Sequence, residues 1–403
     1  MAEDVYYKKT LTFNGWKHSF QFKTSQELFS SHAVDTGTRQ LLRTIVEAGL
    51  SGFNQILDLG CGYGPVGLVL KALCPDSVVH LVDKDALALE YSRQNADLNR
   101  LTGLRIYPSL GYDDLKERGF DLIVSNIPGK AGEPVISYWL REAGYFLAPN
   151  GMAAVVVVNP LEPLVAKTLA ETPSVNIIFK HTWADHTVFH YRFTGSEGFK
   201  TAPPAAFERG IFTRTRQSYH SGGIDYSLET AYGLADFDST GNENDLLFST
   251  LSQLPVSAPA SILVFNPGQG HSAVILWKKF HPDRIWLADR DCLALRYSRR
   301  NLGLNLCPAE RVFEKHTLGL EGLPAEKINL AAIAIREEEG PLAHLAVMRQ
   351  LEPALAKDAV VLVSSGSTAV TRLADSLKQH KLYLIQHRER WRGQSLLVLT
   401  RRH

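Results

Sequence analysis

One stretch of this chain occurs twice. Residues 55–99, QILDLGCGYGPVGLVLKALCPDSVVHLVDKDALALEYSRQNADLN, align without a gap on residues 261–305, SILVFNPGQGHSAVILWKKFHPDRIWLADRDCLALRYSRRNLGLN, at a constant offset of 206. Gly62 falls on Gly268, Gly64 on Gly270, Asp83 on Asp289 and Asp85 on Asp291. The hexapeptide ALEYSR at 88–93 returns as ALRYSR at 294–299. A weaker echo relates Phe20–Gly37 to Ile224–Gly241. Self-similarity at a fixed offset means that one structural unit is written more than once. The 403 residues are therefore expected to form two similar domains, 1–197 and 198–403. Gly195–Gly210, rich in Gly, Pro and Ala and without apolar periodicity, is the expected junction.

Within each copy, short apolar runs alternate with amphipathic stretches. In the first, Gln55–Leu59 and Val78–Asp83 read as strands, Pro65–Leu73 and Ala86–Leu98 as helices, and Asp121–Ser125 and Met152–Val158 as further strands. Asn176–His181 and Val188–Phe193 read as an antiparallel pair at the end of the sheet. This alternation predicts an α/β fold: two tandem Rossmann-like domains, each a mostly parallel sheet with helices on both faces. Ligands of such sheets bind at the carboxyl ends of the strands, near the point where strand order reverses.

Charge and cysteine content narrow the function classes. The 43 Lys and Arg against 42 Asp and Glu exclude a global cationic field that would draw the whole molecule to nucleic acid or anionic lipid. The halves differ: residues 1–197 carry 18 basic and 21 acidic side chains, and 198–403 carry 25 and 21. MAEDVYYKK at the N-terminus has acids and no apolar segment, unlike a signal peptide. The longest clean apolar run, Ala153–Val158, is too short to span a bilayer. Cys61, Cys74, Cys292 and Cys307 form no C-x-x-C pair, so no zinc site or disulfide framework is indicated. A soluble, reduced, cytoplasmic protein without a metal is the expectation.

The first chemical motif is Asp58-Leu-Gly60-Cys61-Gly62-Tyr-Gly64. Alternating glycines after an apolar strand allow a sharp turn into a helix and let a ligand touch bare backbone. Asp83 ends the next strand, where a carboxylate accepts hydrogen bonds from the ribose hydroxyls of an adenosine. Two cofactors fit this outline. Gly62-Tyr-Gly64-Pro-Val-Gly67 satisfies G-x-G-x-x-G, the pattern of a dinucleotide site. Asp58, however, opposes a pyrophosphate and suits a cationic ligand such as the amino group of S-adenosylmethionine.

The second motif follows strand FDLIV: Ser125-Asn126-Ile127-Pro128-Gly129-Lys130-Ala131-Gly132. The amide oxygen of Asn126 and the carbonyl of Ile127 can accept the two N–H bonds of a planar amine, whose delocalised lone pair makes it a poor nucleophile. That arrangement aims the lone pair and stabilises charge developing on nitrogen. The D-x-G-x-G-x-G string resembles the first motif of class I S-adenosylmethionine-dependent methyltransferases. The Asn126 loop resembles the Asn-Pro-Pro-aromatic loop of those that modify planar nitrogen. Glu27–Leu42, ELFSSHAVDTGTRQLL, resembles the F-S-x-x-x-x-D-x-G-[ST]-x-x-L-L stretch of the ribosomal RNA guanine-N2 methyltransferases, a family that also duplicates its domain.

That resemblance implies an S-adenosylmethionine-dependent N-methyltransferase acting on a guanine amine of ribosomal RNA. It implies a methionyl pocket from Asp58, Gly60, Cys61, Gly62 and Gly64, overlaid by Phe29 and Thr38. Asp83 with Lys84 would hold the ribose, Ser109 and Leu110 would border the adenine, and Asn126 would touch both cofactor and substrate. Asn126, the Ile127 carbonyl and Pro128 are the expected catalytic set. The loop departs from the family where an aromatic and a His are replaced by Gly129 and Lys130. Tyr112, Phe29 and Trp183 are candidates to replace the lost ring, and a small-molecule or protein side-chain amide substrate remains an alternative, as does a non-catalytic cofactor- or RNA-binding module.

The second copy loses its chemistry. Asp58, Gly60 and Cys61 become Val264, Asn266 and Pro267, and the substrate loop becomes Ile335-Arg336-Glu337-Glu338-Glu339-Gly340. Asp289, left without its glycine loop, is expected as a surface or capping residue. Arg296, Arg299 and Arg300, and Arg388, Arg390, Arg392, Arg401 and Arg402 around Trp391, are either an RNA-contacting face or a solvated one. His181, His186 and His190 are expected on a sheet surface and not at a metal.

Overall fold

The computed structural model describes residues 4–28, 30–50, 52–194, 202–236, 239–253, 258–325 and 327–402. Its contacts divide the chain into two units, Tyr7–Phe212 and Thr213–His403, the latter also taking in the N-terminal residues up to Tyr6. The division lies beyond the expected 197/198 because Asp113 receives the Ala206 and Phe207 N–H groups at 2.7 and 2.9 Å, tying that segment to the first unit.

The first unit opens with a hairpin, β1 (Tyr7–Gly15) and β2 (His18–Ser25), and α1 (Thr36–Ala48). It continues β3 (Gln55–Leu59), α2 (Pro65–Leu73), β4 (Val78–Asp83), α3 (Ala86–Leu98), β5 (Leu104–Pro108), β6 (Phe120–Asn126), α4 (Glu133–Phe146), β7 (Leu147–Val158), α5 (Glu162–Glu171), β8 (Val175–Thr182) and β9 (His186–Phe193). The seven-stranded sheet runs β5-β4-β3-β6-β7-β9-β8. Its first five strands are parallel; β9 returns antiparallel to β7, and β8 pairs antiparallel with β9. Ala153–Val157 of β7 is buried throughout, as a central strand covered on both faces requires. Strand order reverses between β3 and β6, so Leu59, Asp83, Pro108 and Asn126 all end at one edge.

The second unit repeats this plan: β10 (Thr213–Ser221), β11 (Ile224–Ala231), α6 (Gly241–Gln253), β12 (Ser261–Phe265), α7 (His271–Phe280), β13 (Arg284–Asp289), α8 (Cys292–Leu304), β14 (Val312–His316), β15 (Ile328–Ala334), α9 (Gly340–Leu351), β16 (Leu355–Gly366), α10 (Ser367–His380), β17 (Tyr383–Trp391) and β18 (Gln394–Arg401). Sheet order is β14-β13-β12-β15-β16-β18-β17. The expected fold class therefore holds in both units.

The repeat is reproduced bond by bond. Asp85 and Asp291 cap α3 and α8, each accepting at 2.9 Å from the N–H two residues on. Such caps contribute about 1 kcal/mol. Asn95 and Asn99 each exchange two hydrogen bonds with the backbone of Lys23 and Gln21 on β2. Asn301 and Asn305 do the same with Glu229 and Ser227 on β11. These pairs place the hairpins at offset 206, like the core, whereas the upstream echo in the sequence aligns at 204. Between hairpin and helix the second copy is one residue shorter, nine residues (232–240) against ten (26–35). Among the described residues no helix is long and apolar enough to cross a membrane.

Candidate active site

The chain leaves β3 through the glycine loop, whose Gly60 and Cys61 N–H groups donate to the Val82 carbonyl at 2.9 and 3.0 Å. Gly64, at φ 89°, starts α2; a Cβ there would lie 2.9 Å from Leu68 Cδ1 and 3.1 Å from Ser92 Oγ. Only glycine accommodates both the left-handed backbone and that crowding. Gly62 differs: a Cβ built on it meets nothing within 4 Å, so bare backbone borders open space.

Two carboxylates brace this loop. Asp58, 1% exposed, accepts from the Gly67 N–H at 2.7 Å. Burial pushes its carboxyl up to about 7; the Gly67 bond opposes that and the charge on Asp83 adds to it. Asp83 accepts from the Gly62 N–H through Oδ2 at 2.9 Å and from the Asp85 N–H through Oδ1 at 3.0 Å. Burial raises it to about 6. Each oxygen keeps a second lone pair for a hydroxyl donor. Lys84 is half-buried beside it. Ser109 donates its N–H to the Asp83 carbonyl at 3.0 Å and its hydroxyl to the Gly111 carbonyl at 2.7 Å. Leu110 is buried, its N–H on Asp114 at 2.9 Å. Cys61 is buried with its thiol pushed up by burial, which makes it filler and no nucleophile. Phe29 lies outside the described residues.

The sequence reading missed Trp139. A Cβ on Gly60 would lie 3.3 Å from its Cη2, and one on Gly111 2.9 Å from its Nε1, so the indole of α4 fills the space between the two loops. Its Nε1 is buried without a partner. No local pattern marks it, because Gly60 and Gly111 reach it only through the sheet. An orphaned indole N–H beside Gly111, a carboxylate with spare lone pairs and an open cradle at Gly62 fit a ligand with acceptor nitrogens at one end and hydroxyls in the middle. An adenosine has that chemistry.

The raised carboxyls make a pH prediction. Both are ionised at pH 8, and hydroxyl or ammonium donors of a ligand need them so. Acidification through about 7 and then about 6 adds protons that binding must expel. Cofactor affinity measured calorimetrically is expected to fall by up to ~10-fold per pH unit for each proton displaced. Fold stability moves the other way: raised carboxyls contribute stability that is full at low pH and lost as pH rises through about 6 to 7. Affinity independent of pH between 5.5 and 8 would contradict the assignment.

Asn126 ends β6 two strands from Asp83. Its Nδ2 donates to Asp35 Oδ2 at 2.9 Å and to Thr38 Oγ1 at 3.1 Å. Thr38, expected at the cofactor, therefore sits on the Asn126 amide. The Ile127 N–H donates to Val156 at 3.0 Å, and its carbonyl accepts no bond from any described residue. The Pro128 carbonyl accepts from the Ala131 N–H at 3.1 Å, closing the loop into a turn. Gly129 is exposed, 3.7 Å from Val158 measured from a built Cβ.

Of the rings named as replacements, Tyr112 is 3% exposed, bonded to the Trp139 carbonyl and stacked on Phe146, hence part of the core. Trp183 is half-buried at the β8–β9 turn, its carbonyl held by Asn159 at 2.8 Å and its ring centroid 4.1 Å from that of His181. The histidine row is not simply sheet surface. His190 is 1% exposed, bonded to Thr44 at 2.9 Å and lowered by burial to about 4, and His186 packs on Gly37. Among the described residues no group of three or more His, Cys, Asp or Glu could hold a metal.

In the second unit Ala334 stands where Asn126 does, and Asn266 takes the positive φ of Gly60 at 55°. Asp289 is fully buried, 2.6 Å from Arg336, and so is no surface or simple capping residue. Arg336 donates to Oδ1 of that carboxylate. Arg299 and Arg300 pair with Glu314 and Glu229, and Arg388 donates to Thr371. The β17–β18 turn differs, with Trp391 39% exposed and the Arg392 guanidinium 4.5 Å over its ring.

The model of the methyltransferase small domain matches residues 19–176. The uncharacterised protein YbxB of Bacillus subtilis is 32% identical over 151 residues, covering 37% of this chain and 74% of that protein. Ribosomal RNA small subunit methyltransferase C of Haemophilus influenzae is 37% identical over 123 residues, covering 28% of this chain and 36% of that enzyme. The chain thus aligns with about a third of that relative's length. The solved structure of the Thermus thermophilus 16S rRNA N2 G1207 methyltransferase, in complex with AdoMet and guanosine, superposes with a TM-score of 0.64 at 14% identity, covering 98% of both chains. At that identity the likeness is one of fold.

Proposed function

We propose that this chain, which belongs to the methyltransferase small domain family, is an S-adenosylmethionine-dependent N-methyltransferase whose target is the exocyclic amine of a guanine in ribosomal RNA. The observation that carries this reading is the pair of acceptors at the end of β6. The Asn126 amide has both its N–H bonds engaged, which leaves Oδ1 and the Ile127 carbonyl to receive the two N–H bonds of a planar amine. The names of the Haemophilus relative and of the Thermus structure, which has guanosine bound, support the RNA and the base. The first unit is the catalytic domain on this reading, and the second is non-catalytic.

The bound cofactor supplies an electrophilic methyl group. The chain's residues do the rest by placement. Asp58, Gly60, Gly62 and Gly64 cradle its methionyl part, Asp83 receives ribose hydroxyls, and Trp139 with Ser109 and Leu110 borders the adenine. Asn126 Oδ1 and the Ile127 carbonyl draw on the amine protons, so charge developing on nitrogen meets fixed dipoles. The S–C electron pair would stay with the methyl donor, as a neutral thioether, and the surplus proton on the methylated amine would pass to water. The base must be single-stranded or extruded to reach this edge. Trp183 is the remaining described ring of the three candidates for stacking on it.

A second reading, a small-molecule or protein-amide substrate, is favoured by Gly129 standing where the family has an aromatic. Radiolabelled methyl transfer to ribosomal RNA lacking its own modifications separates the two. Incorporation into guanine N2 is expected; labelling only of a metabolite or protein fraction would reverse the ranking. Trp183→Ala is expected to raise KM for RNA by ~10-fold, since a stacked base contributes about 1–3 kcal/mol, with cofactor affinity unchanged.

A further inference from the structure

We infer that Asp35 is a positioning residue: its carboxylate, with the Thr38 hydroxyl, sets which way the Asn126 amide faces. The inference rests on the role proposed for Asn126 above. An amide's oxygen and nitrogen are nearly isosteric, so its two flips differ only through their partners. A carboxylate can only accept. The observed flip puts Nδ2 2.9 Å from Asp35 Oδ2 and 3.1 Å from Thr38 Oγ1. The opposite flip would press Oδ1 against the carboxylate and turn two donors toward the substrate's own N–H bonds.

The carboxylate is itself held in place. Asp35 is the N-cap of α1, and its Oδ2 also accepts from the Thr38 N–H at 3.1 Å. The positive end of the helix favours the charge there. On the other side His186, from the start of β9, brings Nε2 to 3.9 Å from Oδ1. That approach needs Gly37: a Cβ there would lie 2.8 Å from His186 Cδ2 and 3.0 Å from Asp35 Oδ2. The spacing D-x-G-T is therefore one device, comprising cap and acceptor at Asp35, clearance at Gly37 and a second acceptor at Thr38. The second copy lacks the device: Thr240, which directly precedes α6 as Asp35 precedes α1, carries no carboxylate, in the copy where Asn126 is replaced by Ala334.

Asp35→Ser separates the roles, because serine keeps a helix-capping oxygen but is too short to reach Asn126. Thr38→Val removes the second acceptor with little change of shape. In full-length protein carrying 15N-asparagine, with Asn126 identified by its loss in Asn126→Ala, the Asn126 side-chain N–H2 protons are expected to exchange with water at least ~10-fold faster in either variant, as lost hydrogen bonds allow. Exchange as slow as in the parent overturns the inference, and this readout does not depend on activity. In methyl transfer to RNA, kcat is expected to fall by ~10–100-fold, the scale of misplacing a reacting group, with cofactor Kd and RNA KM little changed. In an Asn126→Ala background the same changes should cost nothing more. Full additive losses there would mean a purely structural role. If the parent transfers no methyl to RNA, the functional reading falls, while the exchange measurement still decides the role of Asp35.

Discussion

Asn126→Ala is expected to lower turnover by at least ~100-fold while leaving cofactor affinity within about twofold. The size follows from what the side chain does. On the proposed reading its oxygen is a fixed acceptor where positive charge develops on the amine, and removing one such preorganised group costs roughly 2.7–4 kcal/mol of transition-state stabilisation. The affinity is spared because the glycine loop, Asp58 and Asp83 are held by β3, β4 and α3 through bonds that do not involve Asn126. Single-turnover methyl transfer, with calorimetry for the cofactor, checks both halves. Turnover equal to the parent's would remove Asn126 from the site.

Asp83→Ala should raise the cofactor Kd by at least ~100-fold, since hydrogen bonds to a charged group contribute about 1.5–3 kcal/mol each. Two effects combine. On the proposed reading the carboxylate is the acceptor for the ribose; it also pins the Gly62 N–H at 2.9 Å, so its loss frees the middle of the glycine loop. The fold itself should tolerate the change better than the site does. Burial already raises this carboxyl to about 6, so its ionised form is a burden on the folded unit at neutral pH. Calorimetric titration and a melting curve separate these effects; an unaltered Kd would mean that the ribose is held elsewhere.

Much of the fold was legible because its signals are local. Pro65–Leu73, Val78–Asp83 and Ala86–Leu98 have the bounds read from apolar periodicity. The glycine turn and the acid at the end of β4 follow from spacing along one stretch of chain. The N-terminal hairpin lies outside the sequence expectation although Leu11, Phe13, Phe20 and Phe22 alternate with polar residues; what docks it is Asn95 and Asn99, in and just after α3, more than 70 residues away. The burial of His190 escapes the sequence for a similar reason. Alternation along β9 predicts which face His190 occupies, but only the packing of α1 against that face buries it beside Thr44.

The sequence by itself determined that one α/β unit is repeated, that the first copy keeps an acid-and-glycine loop, and that an Asn-x-Pro turn ends its fourth parallel strand. Each of these is written in contiguous residues, where backbone geometry and side-chain period act directly. Only the tertiary structure decided which way Asn126 presents its amide, because Asp35 lies 91 residues away in sequence and meets it through the packing of α1 over the sheet edge. Only the structure, likewise, decided the fate of the acid that the second copy retains. Asp289 is buried and paired, since Arg336, from the loop after β15, reaches it at 2.6 Å. A buried carboxylate needs hydrogen-bond or charge partners, and at Asp289 the chain itself supplies a guanidinium.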